Sequence, residues 1–457
     1  MKATPSPQAR SDAGGGPTRR RVLGFLAAGA AGGPLLAACG GPGGASEPQA
    51  AEPSRFDGKV LQHWGSYDAP GRDAWLKHYD RFVQERAPGL RVEIQNVTNA
   101  EYLPKLTAAI VGGAPPDSCR FKENLNNDLA ARHNVLALDG YFSRDKTVRL
   151  ADFTAQAVEA LTYRDKPHGM PHYHQYVILG WNKALFQQAG LNPDRPPETW
   201  TELRDFAKRL TIPDRGQWGF RLYEFGPPPR EQIFNWFMEW VWRNGGDVWN
   251  RDRTRATLDG VEPVQALQTH VDMLYGDRTV IPPDQTQLGI ESGKLAMWMP
   301  TAVGVLNLRR TQPDLDFGLG PMPRAKQFAT QIQTNSLAII SGARERDVAW
   351  SSLAYLARED QMQHWQSEPI LSAVPVRKAL LDKAPWSDPA SGWRPIIEVL
   401  KMPGNRAKPH IPEWDEYTEK NIVPFLTEAW RQQKGPKDAL TEANRQANAW
   451  LDARPKG

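Results

Sequence analysis

The sequence predicts an α/β protein made of two lobes, and three observations lead to this prediction. A strand, a helix and a second strand follow one another at residues 59–64, 73–86 and 91–97. This order is typical of a βαβ unit and therefore of a parallel sheet. Further strands alternate with helices later in the chain, and the folded part of about 400 residues is too long for one ordinary core.

The elements of the first part of the chain follow from apolar periodicity. Residues 73–86 carry apolar side chains at helical spacing, at Trp75, Tyr79, Phe82 and Val83. The next expected elements are an alternating strand at residues 91–97, a helix at residues 102–111 and a short strand at residues 117–121. These elements continue the strand–helix alternation of the first βαβ unit.

The middle of the chain carries clearer start and stop signals. A continuous apolar strand is predicted at residues 176–181, and a helix begins at Asn182. Gly190 is placed to end that helix in a left-handed conformation. Thr199 begins a capping box, in which the side chain of Thr199 and a glutamate three residues later satisfy the first turn of the next helix. Residues 336–340 predict another buried strand.

The N-terminal segment has the layout of an export signal. Residues 18–40 read TRRRVLGFLAAGAAGGPLLAACG, with positive charge before a short apolar run and small residues at its end. The apolar run covers residues 22–38 and is too short and weak for a stable span, which needs roughly 20 strongly apolar residues. Its basic start resembles a twin-arginine export motif, and a general secretory route is the alternative. We expect residues 1–38 to be removed as a signal.

Cys39 is expected to anchor the mature protein to a membrane. Residues 36–39 read LAAC and resemble a bacterial lipobox, in which the cysteine is lipidated and becomes the first mature residue. A Gly/Pro/Ala/Ser-rich tether is expected at residues 39–55. The protein would then lie on the outer face of the cell membrane. Cys119, the other cysteine, is expected to be a small buried apolar side chain.

The charge balance of the mature chain gives no support to nucleic acid as a partner. Residues 1–38 contain five basic residues and one acidic residue, so their removal leaves 51 of each sign. A nucleic-acid-binding protein needs a basic surface, and this composition provides no argument for one. The sequence gives no indication of a cofactor.

Several motifs resemble those of one protein family. Residues 168–186 read HGMPHYHQYVILGWNKALF and are followed by Ala189-Gly190-Leu191 and Pro197-Glu198-Thr199-Trp200. Further blocks follow the same family order, namely GAPPD at 113–117, WRNGG at 242–246, GKLAM at 293–297, and Phe317-Gly318 leading to Pro323. This pattern resembles that of family 1 extracellular solute-binding proteins, the ligand-capturing subunits of ABC importers, many of them for sugars. The chain departs from it at Gln333-Thr334-Asn335, where the family often has a glycine pair.

The resemblance implies a bilobal periplasmic-binding-protein-like fold of type II, with two α/β lobes joined by a multi-stranded hinge. By analogy, the first lobe would contain residues 56–175 plus 335–395. The second lobe would contain residues 176–334 plus 396–457. A solute such as a sugar or polyol derivative would bind between the lobes and be delivered to the membrane permease.

Candidate ligand-binding residues follow the strand ends, where open α/β sheets bind ligands. A sugar suits an aromatic plane together with polar side chains. Strand ends select Trp64, Ser66, Tyr67 and Asp68, and Lys122, Glu123 and Asn124. The family pattern adds Tyr173 and Gln175 at the hinge. Other tryptophans expected in the cleft are Trp236, Trp240, Trp298 and Trp414, whereas Trp75 and Trp200 lie on helix faces and are expected in the core.

Two alternative functions compete with solute capture. His172 and His174, two residues apart near His168, could share a metal ion. Paired carboxylates could hydrolyse glycans, and Asp68, Glu123 and Glu224 are available for this chemistry. The sequence lacks the nucleophile, metalloprotease and phosphate-loop motifs of common enzyme families. Solute binding without catalysis is therefore the main prediction.

Overall fold

The computed structural model describes residues 55–67, 69–222, 231–282, 288–368, 371, 373–411 and 413–454. All of these residues belong to one compact unit. The export signal, Cys39, Asp68 and Glu224 lie outside the described residues. None of the helices within these ranges has the length and the apolar content that crossing a bilayer requires.

Within the described ranges the chain forms eleven strands. They are β1 (Val60–Gly65), β2 (Arg91–Asn96), β3 (Ser118–Lys122), β4 (Thr162–Tyr163), β5 (Lys166–Pro167), β6 (Met170–Gln175), β7 (Leu179–Asn182), β8 (Trp218–Phe220), β9 (Leu295–Trp298), β10 (Phe317–Gly320) and β11 (Gln333–Ile339).

The same ranges contain sixteen α-helices. They are α1 (Ala69–Arg86), α2 (Asn99–Val111), α3 (Glu123–Ala131), α4 (Asp139–Arg144), α5 (Ala155–Ala160), α6 (Lys183–Gln188), α7 (Trp200–Leu210), α8 (Glu231–Arg243), α9 (Val261–Val271), α10 (Ala302–Thr311), α11 (Arg346–Leu356), α12 (Glu359–Ser367), α13 (Arg394–Lys401), α14 (Trp414–Asn421), α15 (Val423–Trp430) and α16 (Pro436–Asp452). Short 3-10 turns lie at Leu150–Asp152, Pro213–Arg215, Ile290–Ser292, Lys378–Leu380 and Pro389–Ser391, and a π-helical turn at Asp272–Gly276 follows α9.

Each lobe is built around one main sheet. The first sheet has the order β2-β1-β3-β11-β6, with β1 parallel to β2 and β3, and β11 antiparallel to β3 and β6. The second sheet has the order β10-β7-β9-β8, with β8 parallel to β9 and β7 antiparallel to both of its neighbours. The prediction of two α/β lobes is therefore confirmed.

The two sheets meet at a hinge of several chain segments, residues 175–179, 299–302 and 330–333. The Ile178 amide donates to the carbonyl of Pro300 at 3.0 Å, and the Ala302 amide donates to the carbonyl of Tyr176 at 2.9 Å. The hydroxyl of Thr330 donates to the carbonyl of Val177 at 3.3 Å. Because these bonds lie between segments that lead into different sheets, they hold the lobes together at one edge.

Residues 333–334 lie in a different lobe from the one expected. Gln333 and Thr334 are the first residues of β11 and pair with Gln175 and His174 of β6, so they belong to the first sheet. Helix α13 contacts β10 of the second sheet, and its apolar face packs in a cluster that includes residues of both sheets. Ile411 and Trp414, further along the chain, pack in the core of the second lobe.

The predicted helix signals are confirmed with one difference in detail. The side chain of Asn182 accepts a hydrogen bond from the Leu185 amide and caps α6, and Gly190 has a φ of 67°. The Thr199 hydroxyl accepts from the amide of Glu202 at 3.2 Å at the start of α7. The Glu202 carboxylate reaches the amide of Glu198 rather than that of Thr199. Cys119 is free and fully buried, as expected.

Candidate ligand-binding site

The predicted site residues of the first lobe lie along one edge of its sheet. Strands β1, β2, β3 and β6 all end at this edge, because β3 and β6 both run antiparallel to β11. Trp64 lies at the end of β1, Lys122 at the end of β3 and Gln175 at the end of β6. Asn335 of β11 lies opposite Lys122. Polar and aromatic side chains from separate strands are thus brought to one side of the lobe.

The second sheet presents the matching edge. Strands β8, β9 and β10 point in one direction, and the residues after β9 enter the hinge, where Thr301 pairs with Val177. Carboxyl ends of strands from both sheets therefore face the hinge, the position at which ligands bind open α/β sheets.

A small cavity of about 160 Å³ opens beside the end of β1. Its lining includes Ser66, Tyr67, Trp75, Arg120, Tyr173 and Trp365. The guanidinium of Arg120 lies 4.2 Å from the centre of the Tyr67 ring and also contacts the carbonyl of Ser66. The amide of Tyr67 donates to the side-chain oxygen of Asn96 at 2.8 Å, and the Asn96 side chain donates to the Tyr67 carbonyl at 2.7 Å. These bonds fix the loop that follows β1.

The start of α3 carries a buried carboxylate. Glu123 is only 2% exposed, and its Oε2 accepts from the amide of Thr334 at 2.9 Å. Burial raises the pKa of Glu123, while the positive charge of Lys408 acts in the opposite direction. Glu123 is thereby held in place by the strand that crosses the hinge.

Helix α3 also contacts the second lobe through a polar interface, here termed the interlobe seam, which consists of Asn124, Asn127, Asp128 and Arg132 against His410, Glu413 and Asp415. Asn124 donates to Oδ1 of Asp415 at 2.8 Å. The amide of Glu413 donates to Oδ1 of Asp128, and Arg132 pairs with the Glu413 carboxylate, both at 2.8 Å. The seam joins the lobes beside the predicted cleft.

Two glutamines not selected from the sequence lie between the lobes. Gln333 is the register partner of Gln175, and its side chain donates to Oε1 of Gln232 on α8 at 3.3 Å. Both side chains are partly exposed. The sequence offered one signal for Gln333, its position shortly before the predicted strand at residues 336–340. A strand that begins at a hinge places its first side chains in the cleft.

The comparison with protein families decides the classification of this chain. The model of the bacterial extracellular solute-binding protein family matches residues 67–363. The chain belongs to this family.

Relatives of this solute-binding protein have different solutes in their names. The mannitol-binding protein of Pseudomonas aeruginosa is 30% identical over 216 residues, which cover 44% of this chain and 47% of the relative. A probable amino-acid ABC transporter periplasmic-binding protein of Sinorhizobium fredii is 25% identical over 290 residues, covering 60% of this chain and 64% of the relative. The chain thus spans between about half and somewhat under two thirds of the length of these two relatives.

A solved structure shares the fold over the whole of its own length. An ABC transporter solute-binding protein from Thermotoga lettingae TMO, with α-D-tagatose bound, has a TM-score of 0.75 and 23% sequence identity. The similarity covers 86% of this chain and 100% of that chain. The bilobal type II fold expected from the motifs is confirmed.

Three of the tryptophans expected in the cleft lie in the core instead. Trp298 is 4% exposed and packs over Gly180 in an apolar cluster with Leu295, because Gly180 leaves room for the ring on that face of the sheet. Trp414 is 1% exposed, and its ring nitrogen donates to Asn235 at 3.1 Å. Trp240 is also buried, against Trp200. Trp75 and Trp200 are buried as expected.

The remaining predicted residues keep access to solvent or contact the other lobe. Trp64, Ser66, Tyr173, Gln175 and Trp236 are partly exposed, and Lys122 is exposed. Asn124 is nearly buried because its amide contacts Asp415 in the interlobe seam.

The two histidines of the predicted pair have different surroundings in the first lobe. His172 stacks on Trp365 with ring centres 4.6 Å apart. The two ring nitrogens of His174 lie 2.7 Å from the Thr154 hydroxyl and 3.2 Å from the Thr334 hydroxyl. Burial lowers the pKa of both rings, to about 3 for His174. The rings therefore act as neutral packing groups in the first lobe.

We predict that Asp128 makes stability depend on pH between about 4 and 7. Burial raises the pKa of Asp128 from 3.8 to about 7, against the lowering effect of Lys408. The pKa of Asp128 is higher in the folded state than in the unfolded state, so protonation of Asp128 favours folding. This contribution to the free energy of unfolding is complete below pH 3.8 and is lost as the pH rises through 7. The melting temperature of wild type minus that of Asp128→Asn should therefore decrease as the pH is raised from 4 to 7.

The control for this pH series is Glu398→Gln, which removes an exposed carboxylate of α13. Its melting temperature relative to wild type should change little over the same range. If the difference in melting temperature between wild type and Asp128→Asn did not change with pH, the assignment of this raised pKa to Asp128 would be contradicted.

Proposed function

We propose that this solute-binding protein is the substrate-binding subunit of an ABC importer that captures a sugar or sugar-like solute between its lobes. The observation that carries the proposal is the alignment of Trp64, Lys122 and Gln175 along one sheet edge at the hinge. The captured solute would be delivered to the permease in the membrane.

The chemistry of this edge fits a polyhydroxylated ligand. Trp64 supplies an aromatic plane for the C–H face of a sugar ring, and Gln175, Gln333 and Gln232 supply amide donors and acceptors for hydroxyl groups. Ser66 and Tyr173 extend the polar surface towards the cavity beside Arg120. The mannitol-binding relative and the tagatose-bound structure support this ligand class.

Other members of the proposed site have narrower roles. Lys122 and Arg120 give the edge positive charge, which would also suit a ligand with an anionic group.

Trp236 lies on α8 next to Asn235 and would form the wall of the site on the side of the second lobe. Asp68 belongs to the proposed site from its position after β1. Asn124 would stabilise the closed state through Asp415 rather than contact the solute.

Capture would depend on closure of the lobes. A ligand shifts a two-state equilibrium only by the difference between its affinities for the two states. A solute that contacts Gln175 on one lobe and Gln232 on the other gains these contacts together only when the lobes are close. No chemical step is needed, and the solute would be released unchanged.

A hydrolase is the competing function, and the state of Glu123 argues against it. The Glu123 carboxylate accepts a backbone amide and is buried, so it is not placed to protonate a substrate in the cleft. Recovery of the bound solute unchanged after prolonged incubation would support binding without catalysis. Conversion of the solute would favour the hydrolase.

We predict that a sugar or polyol stabilises the protein and that Gln175 and Lys122 contribute to its binding. A thermal-shift screen should include mannitol, tagatose, malto-oligosaccharides and glycerol 3-phosphate, with amino acids as the competing class. At 100 times the dissociation constant a ligand stabilises the folded state by about 2.7 kcal/mol, so a hit should be measurable. Gln175→Ala and Lys122→Gln should each weaken binding of the hit by about tenfold, or about 1.4 kcal/mol.

The matched control for the glutamine variant is Gln312→Ala, which removes an exposed amide after α10 in a position away from the sheet edge. Its affinity should equal that of wild type. Stabilisation by amino acids alone would reject the sugar ligand, and unchanged affinity in both site variants would reject the proposed site.

We further propose that the protein is exported and held at the outer face of the membrane by lipid on Cys39. The predicted result for Cys39→Ser in the native host is release of the protein from the membrane fraction, with solute affinity unchanged. Metabolic labelling with a fatty acid should mark wild type and leave the variant unlabelled. Retention of Cys39→Ser in the membrane fraction would contradict the anchor.

Replacement of Arg20 and Arg21 by lysine would separate the two export routes. Loss of export would indicate the twin-arginine route, and unchanged export would indicate the general secretory route.

A further inference from the structure

A cluster of two histidines and one glutamate lies between α1 and α12 of the first lobe. His78 is on α1, His364 is in the last turn of α12, and Glu368, four residues after His364, directly follows that helix. Their ligand atoms all lie within 4.8 Å of one another. Among the described residues, this is the group of three histidine, cysteine, aspartate or glutamate side chains that is close enough together to hold one metal ion.

The distances in this cluster are close to those around a bound metal ion. Nε2 of His78 lies 3.2 Å from Oε1 of Glu368, and Nε2 of His364 lies 3.7 Å from the same oxygen. Ligands that are about 2.1 Å from a tetrahedral zinc ion are separated from one another by about 3.4 Å. A small rotation of the half-exposed His364 side chain would bring the third atom to this spacing.

The nitrogen of His78 gives independent evidence for a missing partner. The side chain of His78 is 3% exposed, and its Nε2 has no hydrogen-bond partner with acceptable geometry among the described residues. The nearby Glu368 oxygen meets the distance for an ion pair but not the geometry of a hydrogen bond. A buried polar atom without a hydrogen bond is costly, and a metal ion accepts its lone pair directly.

We propose that His78, His364 and Glu368 form a binding site for a divalent transition-metal ion, with zinc as the best fit. Two imidazole nitrogens and one carboxylate oxygen suit zinc and its neighbours in the series, and they do not suit calcium or magnesium, which prefer oxygen ligands. Water would complete the coordination, since His364 and Glu368 are open to solvent.

The ion would link two helices that carry residues of the cavity near β1. Trp75 on α1 and Trp365 on α12 both line that cavity, and their ring centres lie 5.0 Å apart. Metal binding would therefore stabilise the first lobe beside the proposed ligand site. The metal site is independent of the identity of the solute.

The test uses the mature chain without a histidine tag, after treatment with a chelator. Titration with Zn²⁺ against a chromophoric chelator should give one ion per chain, and Co²⁺ should produce the visible absorption bands of a tetrahedral site. His364→Ala and Glu368→Gln should each weaken zinc binding at least tenfold and remove the zinc-dependent rise in melting temperature. Both changes are at accessible side chains, so folding should be preserved.

Matched controls are His133→Asn and Glu398→Gln, which remove an exposed imidazole and an exposed carboxylate elsewhere. Asparagine suits the left-handed backbone of His133, whose φ is 58°. Both controls should bind zinc as wild type does. Absence of a stoichiometric ion in wild type, or equal affinity in the site variants and the controls, would overturn the proposal.

Discussion

The fold depends on the short segment from Gln175 to Leu179, which belongs to both lobes. Gln175 pairs with Gln333 in the first sheet, and Leu179 pairs with Gly320 in the second. Between them, Tyr176 buries its ring in an apolar cluster with residues of both sheets and donates its hydroxyl to the carbonyl of Ile396 at 2.5 Å. The backbone groups of Tyr176 and Ile178 are bonded to the segment after β9, so the two segments are held together at the hinge. Both sheet edges are therefore directed at the same cleft.

Charged side chains in and beside the interlobe seam show how charge is distributed where the lobes meet. Glu123 and Asp128 belong to the first lobe, and Lys408, which is 4% exposed, lies in the segment that enters the second. The positive charge of Lys408 lowers the pKa of both carboxyl groups, whereas burial raises it. The Lys408 ammonium also lies 4.9 Å from the centre of the Trp414 ring.

The sequence predicted the strands and helix caps well, because these depend on local patterns such as the Asn182 cap and the Gly190 turn. It also located Trp64, Lys122 and Gln175 at strand ends. It failed for Trp298 and Trp414, since proximity to a strand end or helix start does not determine which face a ring occupies. The side of β9 on which Trp298 lies depends on the space over Gly180 of a neighbouring strand, a pairing that no local pattern reveals. Gln333 was missed for a related reason, because its partner Gln175 is distant in sequence.

The central claim, that a solute is captured by movement of two lobes about the hinge, is tested most directly by an interlobe distance. Spin labels at Lys105→Cys on α2 and Lys437→Cys on α16 occupy exposed positions in the two lobes, and the native Cys119 is buried. Pulsed electron resonance should give a distance distribution that becomes narrower and shorter on addition of a solute identified by thermal shift. A saturating solute that leaves the distribution unchanged would contradict capture by closure.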